Sequence, residues 1–134
     1  MTVFVIHKND YNGMGVSVYI GRPSVLGNPY THIKNKKTLA KFVVSTREES
    51  IKKYREYFYK HIEGSEYFRN ELERIHKLSI NHDIYLICWC KPLSCHGDII
   101  KEYLDILSER QYKKEYMGDW SKYVESGRGR NNIH

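Results

Sequence analysis

The sequence predicts an α/β protein: a small three-layer Rossmann-like domain with a mostly parallel sheet flanked by helices. The first observation is residues 84–90, a run of apolar or weakly polar residues without alternation, typical of a strand buried on both faces. The second is that a proline turn and polar residues at 91–98 separate this run from apolar residues at helical spacing over 99–107. This order of strand, loop and helix predicts a parallel central strand, with a ligand site at its carboxyl end.

Two further strands are predicted near the N terminus, at residues 3–7 and 16–20, with a turn-rich segment between them. A hairpin and two separated strands both fit, because the connection is too long to fix a turn type. Residues 21–30 contain two glycines and two prolines and predict a rigid loop that starts with Arg22. An arginine at this place can form a fork of hydrogen bonds to phosphate or carboxylate.

Two helices are predicted between this loop and the central strand. Residues 31–44 are basic and weakly patterned, and we expect a loop or a short helix there. Thr46-Arg47-Glu48-Glu49 fits a capping box, and one helical face follows it, consisting of Ile51, Tyr54, Phe58 and Ile62. Gly64-Ser65 breaks this helix, and a second helical face consists of Phe68, Leu72, Ile75 and Leu78.

The length of 134 residues predicts one domain, which we place at residues 1–107. Residues 108–134 form an aromatic and basic C-terminal extension whose last residues are expected to be disordered. The three cysteines lie within residues 88–95 and provide no disulfide framework, which predicts a reducing, cytoplasmic location. The first residues lack a leader pattern and no apolar run reaches about 18 residues, so neither secretion nor membrane insertion is expected.

The net charge of +6 is concentrated in residues 31–62, which contain nine Lys or Arg and three Glu. A basic region of this kind can meet a nucleic-acid backbone or a phosphorylated small molecule. A solvated, lysine-rich helix face explains the charge better than nucleic-acid binding does, because no base-reading motif accompanies it. A nucleic-acid-binding module is therefore an alternative interpretation and not the main one.

The segment around the central strand has residue types that bind zinc, in the order Cys88, Cys90, Cys95 and His96. The spacing argues against zinc, since structural sites use cysteines about two to four residues apart in loops, whereas Cys88 and Cys90 share one strand. We therefore predict no metal and no cofactor. Cys95, at the start of a helix, could act as a nucleophile, or it could start the helix while neighbouring backbone groups hold a ligand.

Asp98 and His96 are the candidate catalytic residues. Asp98 falls in the first turn of the predicted helix, where a carboxylate is stabilised electrostatically and often caps the helix. Beside His96 and facing Arg22, the same carboxylate could bind ribose hydroxyls, or act as base or nucleophile towards a glycosidic carbon. Tyr19, Tyr30 and Trp89 could stack on a base, although core packing explains each of them better.

Two motifs carry a resemblance to a known family: Gly21-Arg22-Pro23-Ser24-x-x-Gly27-Asn28-Pro29, and Cys88-Trp89-Cys90-x-Pro92-x-x-Cys95-His96-Gly97-Asp98. Together with the helix start between them, they make residues 3–107 resemble the domain-of-unknown-function family 4326, found in phages and bacteria. The family has no settled activity, so the resemblance implies a domain and a site without a reaction. The ligand-binding residues that it implies are Arg22, Ser24, Asn28, Cys90, Cys95, His96 and Asp98.

We expect these residues to bind a nucleotide or a nucleotide-derived small molecule in a pocket between residues 22–28 and 90–98. Occurrence in phages favours capture of a host defence signal. The alternative on the same pocket is an enzyme that cleaves or transfers at an N-glycosidic bond, an interpretation that rests on analogy with other Rossmann-like families. Whether the protein turns over a substrate stays open, and a homodimer would be in keeping with a pocket built between subunits.

Overall fold

The computed structural model of the protein describes residues 2–33, 40–91, 93 and 95–116. Predictions that concern residues 34–39, 117–134, Pro92 and Ser94 lie outside the described residues. The described elements follow the order β1 (Val3–His7), β2 (Val16–Tyr19), β3 (Tyr30–Thr31), β4 (Phe42–Val43), α1 (Arg47–Gly64), α2 (Glu66–Asn81), β5 (Ile84–Cys88) and α3 (Gly97–Tyr116), with a short 3₁₀ turn at Lys8–Asp10.

The main sheet has the strand order β1-β5-β2, and both outer strands run parallel to β5. Val5 of β1 and Val18 of β2 are both in register with Leu86, which lies in the middle strand. The predicted α/β class, with a parallel sheet and a central strand formed by this segment, is confirmed. Because β1 and β2 lie on opposite sides of β5, they do not form a hairpin. Of the two arrangements that fit the sequence, the structure has the separated strands.

The two faces of the main sheet are covered differently. On one face, residues such as Leu86 and Val18 are buried and pack in a single core with side chains of all three helices. On the other face, the rings of Phe4 and Tyr85 stack with centroids 4.9 Å apart, and Tyr11 packs 5.6 Å from Tyr85. Tyr11 belongs to the β1–β2 connection, so in the described chain this connection crosses the second face.

Helices α1 and α2 begin and end where the sequence predicts. The Thr46 hydroxyl oxygen accepts a hydrogen bond from the Glu49 N–H at 3.0 Å and caps α1. Ser65 serves both helices, since its N–H donates to His61 O at 2.9 Å and its hydroxyl accepts from the Phe68 N–H at 3.2 Å. The apolar faces of the helices provide about half of the core, with Tyr54, Phe58, Phe68, Leu72, Ile75, Ile99, Ile100 and Leu104 all buried.

The segment 31–44 differs from the expected loop or short helix. Its described ends belong to two short strands, β3 and β4, which pair in parallel as a separate small sheet. The pairing is local: Val44 N donates to Thr31 O at 2.7 Å, and the rings of Tyr30 and Phe42 stack at 5.1 Å. Aromatic side chains that stack across adjacent strands stabilise such a pair. The basic composition of the residues between the two strands gives no strand pattern, so the sequence does not predict the pair.

Helix α3 is longer than the predicted 99–107 and continues to Tyr116, across the boundary drawn at residue 107. Its exposed side carries ion pairs at the spacing of four residues, Lys101 with Asp105 at 2.6 Å and Lys113 with Glu109 at 3.1 Å. Such pairs support a helix beyond the end of its apolar face. None of the described helices has both the length and the apolar character needed to cross a membrane.

Candidate functional site

A cavity of about 280 Å³ opens at the carboxyl ends of β2 and β5, between the loop that follows β2 and the segment that leads into α3. The end of β3 and the first turns of α1 complete its wall. Five of the predicted ligand-binding residues line it: Arg22, Asn28, Cys90, Cys95 and His96. The two predicted loops therefore meet at one cavity, as the parallel arrangement of β2 and β5 requires.

The Arg22 guanidinium is held in place by two backbone carbonyls. Its Nη1 donates to Asn28 O at 3.0 Å and to Tyr30 O at 3.4 Å. The hydrogen bonds found among the described residues use only Nη1, so the edge formed by Nε and Nη2 keeps its donors. A guanidinium fixed on one side and unengaged along one edge is suited to bind an anion in a fork geometry.

Asn28 lines the cavity, but its side chain is engaged within the protein. Its Nδ2 donates to Ser50 Oγ at 2.9 Å, and its Oδ1 accepts from the Tyr30 N–H at 2.9 Å. The Ser50 hydroxyl in turn donates to Tyr30 O at 2.9 Å. This closed set of bonds ties the loop after β2 to α1 and β3, so Asn28 positions the wall of the cavity.

His96 is 7 % exposed and lies at the base of the cavity. Its Nε2 lies 2.6 Å from Ile20 O, and the ring meets Tyr54 edge-on with centroids 4.9 Å apart. Because a carbonyl only accepts, Nε2 carries the proton, and Nδ1 is the acceptor nitrogen of a neutral imidazole. Burial lowers the pKa of His96 to about 4, with a further lowering from the Arg22 charge, so the ring stays neutral near pH 7.

Cys88 and Cys95 form a buried thiol pair in the wall of the cavity, with their sulfur atoms 3.6 Å apart. The Cys95 sulfur also accepts a hydrogen bond from the Gly97 N–H at 3.3 Å. The hydrogen bond from the Cys95 thiol holds the pKa of the Cys88 thiol below its usual range, and the same bond, with burial, raises the pKa of Cys95. The third cysteine, Cys90, is half-buried at the same cavity.

The zinc arrangement considered from the sequence does not form. Within the described part of the chain, no group of three or more His, Cys, Asp or Glu side chains is placed to hold a metal ion. The Nε2 of His96 is bonded to the backbone carbonyl of Ile20, so this nitrogen is not available as a metal ligand beside the cysteines.

Asp98 lies outside the cavity. Its side chain is 48 % exposed, and Oδ1 pairs with Lys91 Nζ at 2.6 Å. Oδ2 accepts from the Cys95 N–H at 3.4 Å, which is the capping contact expected for a carboxylate in the first turn of α3. The structure therefore places this predicted catalytic residue beside the site, where it holds the 91–98 segment against the start of α3.

Ser24 lies at a second cavity, of about 340 Å³, on the other side of Arg22. Its hydroxyl oxygen is buried and has no hydrogen-bond partner among the described residues. Lys41 and His61 also line this second cavity, and Arg22 lines both. Of the predicted ligand-binding residues, five therefore line the first cavity, Ser24 lines the second, and Asp98 lines neither.

Arg47 is a charged cavity residue that was not among the predicted site residues. It is the first residue of α1 and lines the cavity together with Arg22. In the sequence it was interpreted only as part of the helix-capping motif; the available signal was its position at a helix N terminus, which favours anions. The lining contains two arginines and, among the described residues, no Asp or Glu, so the electrostatic character of the cavity is positive.

The fold and the position of the cavity define a small Rossmann-like α/β domain with a site at the carboxyl edge of its parallel sheet. The family described as a domain of unknown function (DUF4326) matches residues 4–106, and the chain belongs to this family. The resemblance drawn from the two motifs is confirmed. Comparisons with curated proteins and with solved structures give no match.

Proposed function

We propose that the protein binds a nucleotide or a nucleotide-derived small molecule in the cavity between residues 22–28 and 90–98. The observation that carries the proposal is the composition of the wall: its described residues include two arginines and the aromatic residues Tyr30 and Trp89, and no carboxylate. An anionic group and a planar group are the two chemical features that such a wall recognises together.

The phosphate would lie against Arg22 and Arg47. The carbonyls of Asn28 and Tyr30 fix the Arg22 guanidinium before any ligand arrives, so less side-chain entropy is lost on binding. Its Nε and Nη2 edge offers two parallel donors to two phosphate oxygens. Arg47, at the N terminus of α1, adds a second positive charge where the helix itself favours an anion.

The base and ribose would occupy the part of the cavity nearest β5. Tyr30 and Trp89 both line the cavity, and the Trp89 indole is anchored by its Nε1–H donating to Tyr19 Oη at 3.2 Å. His96 Nδ1 is an acceptor for a ribose hydroxyl or a base N–H. The volume of about 280 Å³ is at the lower end of small-molecule pockets and suits one nucleotide unit more than a nucleic-acid strand.

Binding without turnover is favoured over cleavage of an N-glycosidic bond. Asp98 is engaged with Lys91 and lies outside the cavity, which leaves the described wall without a carboxylate nucleophile or base. His96 is a weak base at neutral pH because burial disfavours its protonated form. Sequestration of a host nucleotide signal is the biological role that agrees with binding alone.

The test compares matched ligands that differ only in the phosphate, AMP with adenosine and GMP with guanosine, by isothermal titration calorimetry. The nucleotide of the preferred pair should bind and its nucleoside should bind much more weakly. Arg22→Ala should weaken nucleotide binding about tenfold to a hundredfold, as expected for the loss of charge-assisted hydrogen bonds. Equal affinity for a nucleotide and its nucleoside would contradict the assignment of the arginines to phosphate.

Matched variants separate binding from folding. Arg22→Lys keeps the positive charge and removes the fork, and Arg47→Ala removes the second positive charge without affecting the bonds of Arg22. Arg74→Ala is the control, since Arg74 pairs with Glu71 on the surface of α2 and does not line the cavity. Unchanged nucleotide affinity in both Arg22→Lys and Arg47→Ala, with folding verified by circular dichroism, would refute the proposed site.

Turnover is tested by incubating the protein with the preferred nucleotide, denaturing the mixture and identifying the released compounds by liquid chromatography and mass spectrometry. Intact nucleotide is the expected result. Release of free base that stops in Asp98→Asn and in His96→Gln would establish the enzymatic alternative instead.

A further inference from the structure

The thiol pair is a feature that nucleotide binding does not require. Cys88 is the last residue of β5, and Cys95 lies two residues before α3 begins at Gly97. The fold brings these two sulfurs within 3.6 Å of each other, in van der Waals contact, although seven positions separate them in the chain. The third cysteine, Cys90, belongs to the same segment and is half-buried.

The geometry allows the two sulfurs to bond. A disulfide has a sulfur–sulfur distance of about 2.05 Å, so the pair must approach by about 1.6 Å from its present separation. Cys95 is neither in a strand nor in a helix, so its movement leaves the hydrogen-bond ladder of β5 intact. Its carbonyl accepts from the Asp98 N–H at 3.2 Å, so the first turn of α3 adjusts with it. The movement falls on the short segment between the two elements.

The surroundings also activate one of the two thiols. The Cys95 S–H donates to the Cys88 sulfur, and the charge of Lys91 is close enough to favour the Cys88 thiolate. The Gly97 N–H donates to the Cys95 sulfur and holds it in place. Cys88 and Cys95 are each 2 % exposed or less, yet both residues line the cavity, so a small reagent that enters the cavity reaches them.

We propose that Cys88 and Cys95 form a reversible redox pair, which hydrogen peroxide that enters the cavity oxidises to an intramolecular disulfide. Cys88 attacks one peroxide oxygen as the thiolate; the O–O bond breaks, and the leaving hydroxide takes up a proton to form water. The sulfur of Cys95 then attacks the sulfur of the resulting Cys88 sulfenic acid. Hydroxide leaves from Cys88 and takes the Cys95 proton, so the two thiols lose two electrons and two protons in total.

A small dithiol reductant reverses the reaction by thiol–disulfide exchange. Disulfides in reducing compartments are mostly transient and serve catalysis or redox sensing, and a pair of this kind fits that class. The inference does not depend on the identity of the ligand, because only the fold is needed to hold the two sulfurs together.

The experiment uses the full chain, reduced and then freed of reductant, and treated with hydrogen peroxide. Free thiols are blocked with N-ethylmaleimide before reduction, and thiols released by reduction are then labelled with iodoacetamide. Trypsin does not cleave between Lys91 and Pro92, so all three cysteines lie on one tryptic peptide. Fragmentation of this peptide in the mass spectrometer shows which cysteine carries which label. Before labelling, the oxidised chain should be a monomer lighter by two hydrogen atoms. After labelling, Cys88 and Cys95 should carry the iodoacetamide label and Cys90 the N-ethylmaleimide label.

Cys90→Ser is the matched variant, because its only thiols are Cys88 and Cys95 and any intramolecular disulfide must join these two. It also leaves both residues of the buried thiol pair unchanged. It should lose two hydrogen atoms as the wild type does, and regain them with dithiothreitol. Oxidation of both chains should be faster in the folded state than in urea, where nothing holds the sulfurs adjacent. A disulfide that includes Cys90, or equal rates in folded and unfolded protein, or thiols that stay reduced in Cys90→Ser, would overturn the proposal.

Discussion

Replacement of His96 by glutamine should remove much of the loss of stability that the wild-type protein suffers between about pH 7 and pH 5. The reason is the buried neutral imidazole, whose Nε2–H donates to Ile20 O at 2.6 Å and whose pKa burial lowers to about 4. In the unfolded chain a histidine has a pKa of about 6.5 and takes up a proton as the pH falls. The folded protein does not take up that proton, so acid favours the unfolded state.

The size of the effect follows from the two pKa values. Stability from this group is fully present above about pH 6.5, falls as the pH drops, and reaches its lowest level near pH 4, where folded His96 also becomes protonated. At pH 5 the unfolded imidazole is almost wholly protonated and the folded one is not, a difference of about 2 kcal/mol in the free energy of unfolding relative to pH 7.

The assay is urea denaturation of the wild type and His96→Gln at several values of pH between about 7 and 5, monitored by circular dichroism. Other titrating groups contribute equally to both proteins, so the difference between the two curves reports His96 alone. Glutamine can still donate an N–H to Ile20 O, which limits the loss of stability at neutral pH. Two curves that run parallel over this range would refute the assignment of His96 as a buried, neutral ring.

Three further outcomes are expected from urea denaturation at neutral pH. Gly97→Ala should lose about 1–3 kcal/mol, because an added Cβ would lie 2.7 Å from Val5 Cγ1 in a packed region. Gly64→Ala, with nothing within 4 Å of the added carbon at the end of α1, should gain up to about 1 kcal/mol, and an equal effect at both glycines would contradict the packing argument. Tyr54→Phe should lose about 1–3 kcal/mol, since the buried hydroxyl donates to Leu26 O at 2.7 Å, and a change below about 0.5 kcal/mol would show that this bond does not stabilise the fold.

Much of the fold could be predicted from the sequence because the deciding patterns are local. The uniform apolar run of β5 predicts a central strand, and the spacing of Phe58 or Leu72 with their neighbours predicts the buried helix faces. Thr46 and Ser65 mark the helix starts because a hydroxyl that caps a helix bonds to an N–H only three residues away. The short β3–β4 pair was not predicted, since it depends on contacts across a segment whose composition indicates a loop.

The sequence by itself also predicted the two segments that line the candidate cavity. Arg22 follows β2 and His96 follows β5, and parallel neighbouring strands bring their carboxyl ends to the same edge of the sheet. The sequence predicted the two segments, and the parallel pairing of β2 with β5, which the sequence left open, brings them together.

Only the tertiary structure decided what each side chain does there. Asp98 pairs with Lys91 outside the cavity. The Asn28 side chain forms hydrogen bonds to Ser50 and Tyr30. Arg47, which is distant from both loops in the sequence, lines the cavity from the start of α1. The physical reason is that a polar side chain bonds to whichever partner lies within about 3 Å, and sequence patterns do not give distances of that size between separate elements.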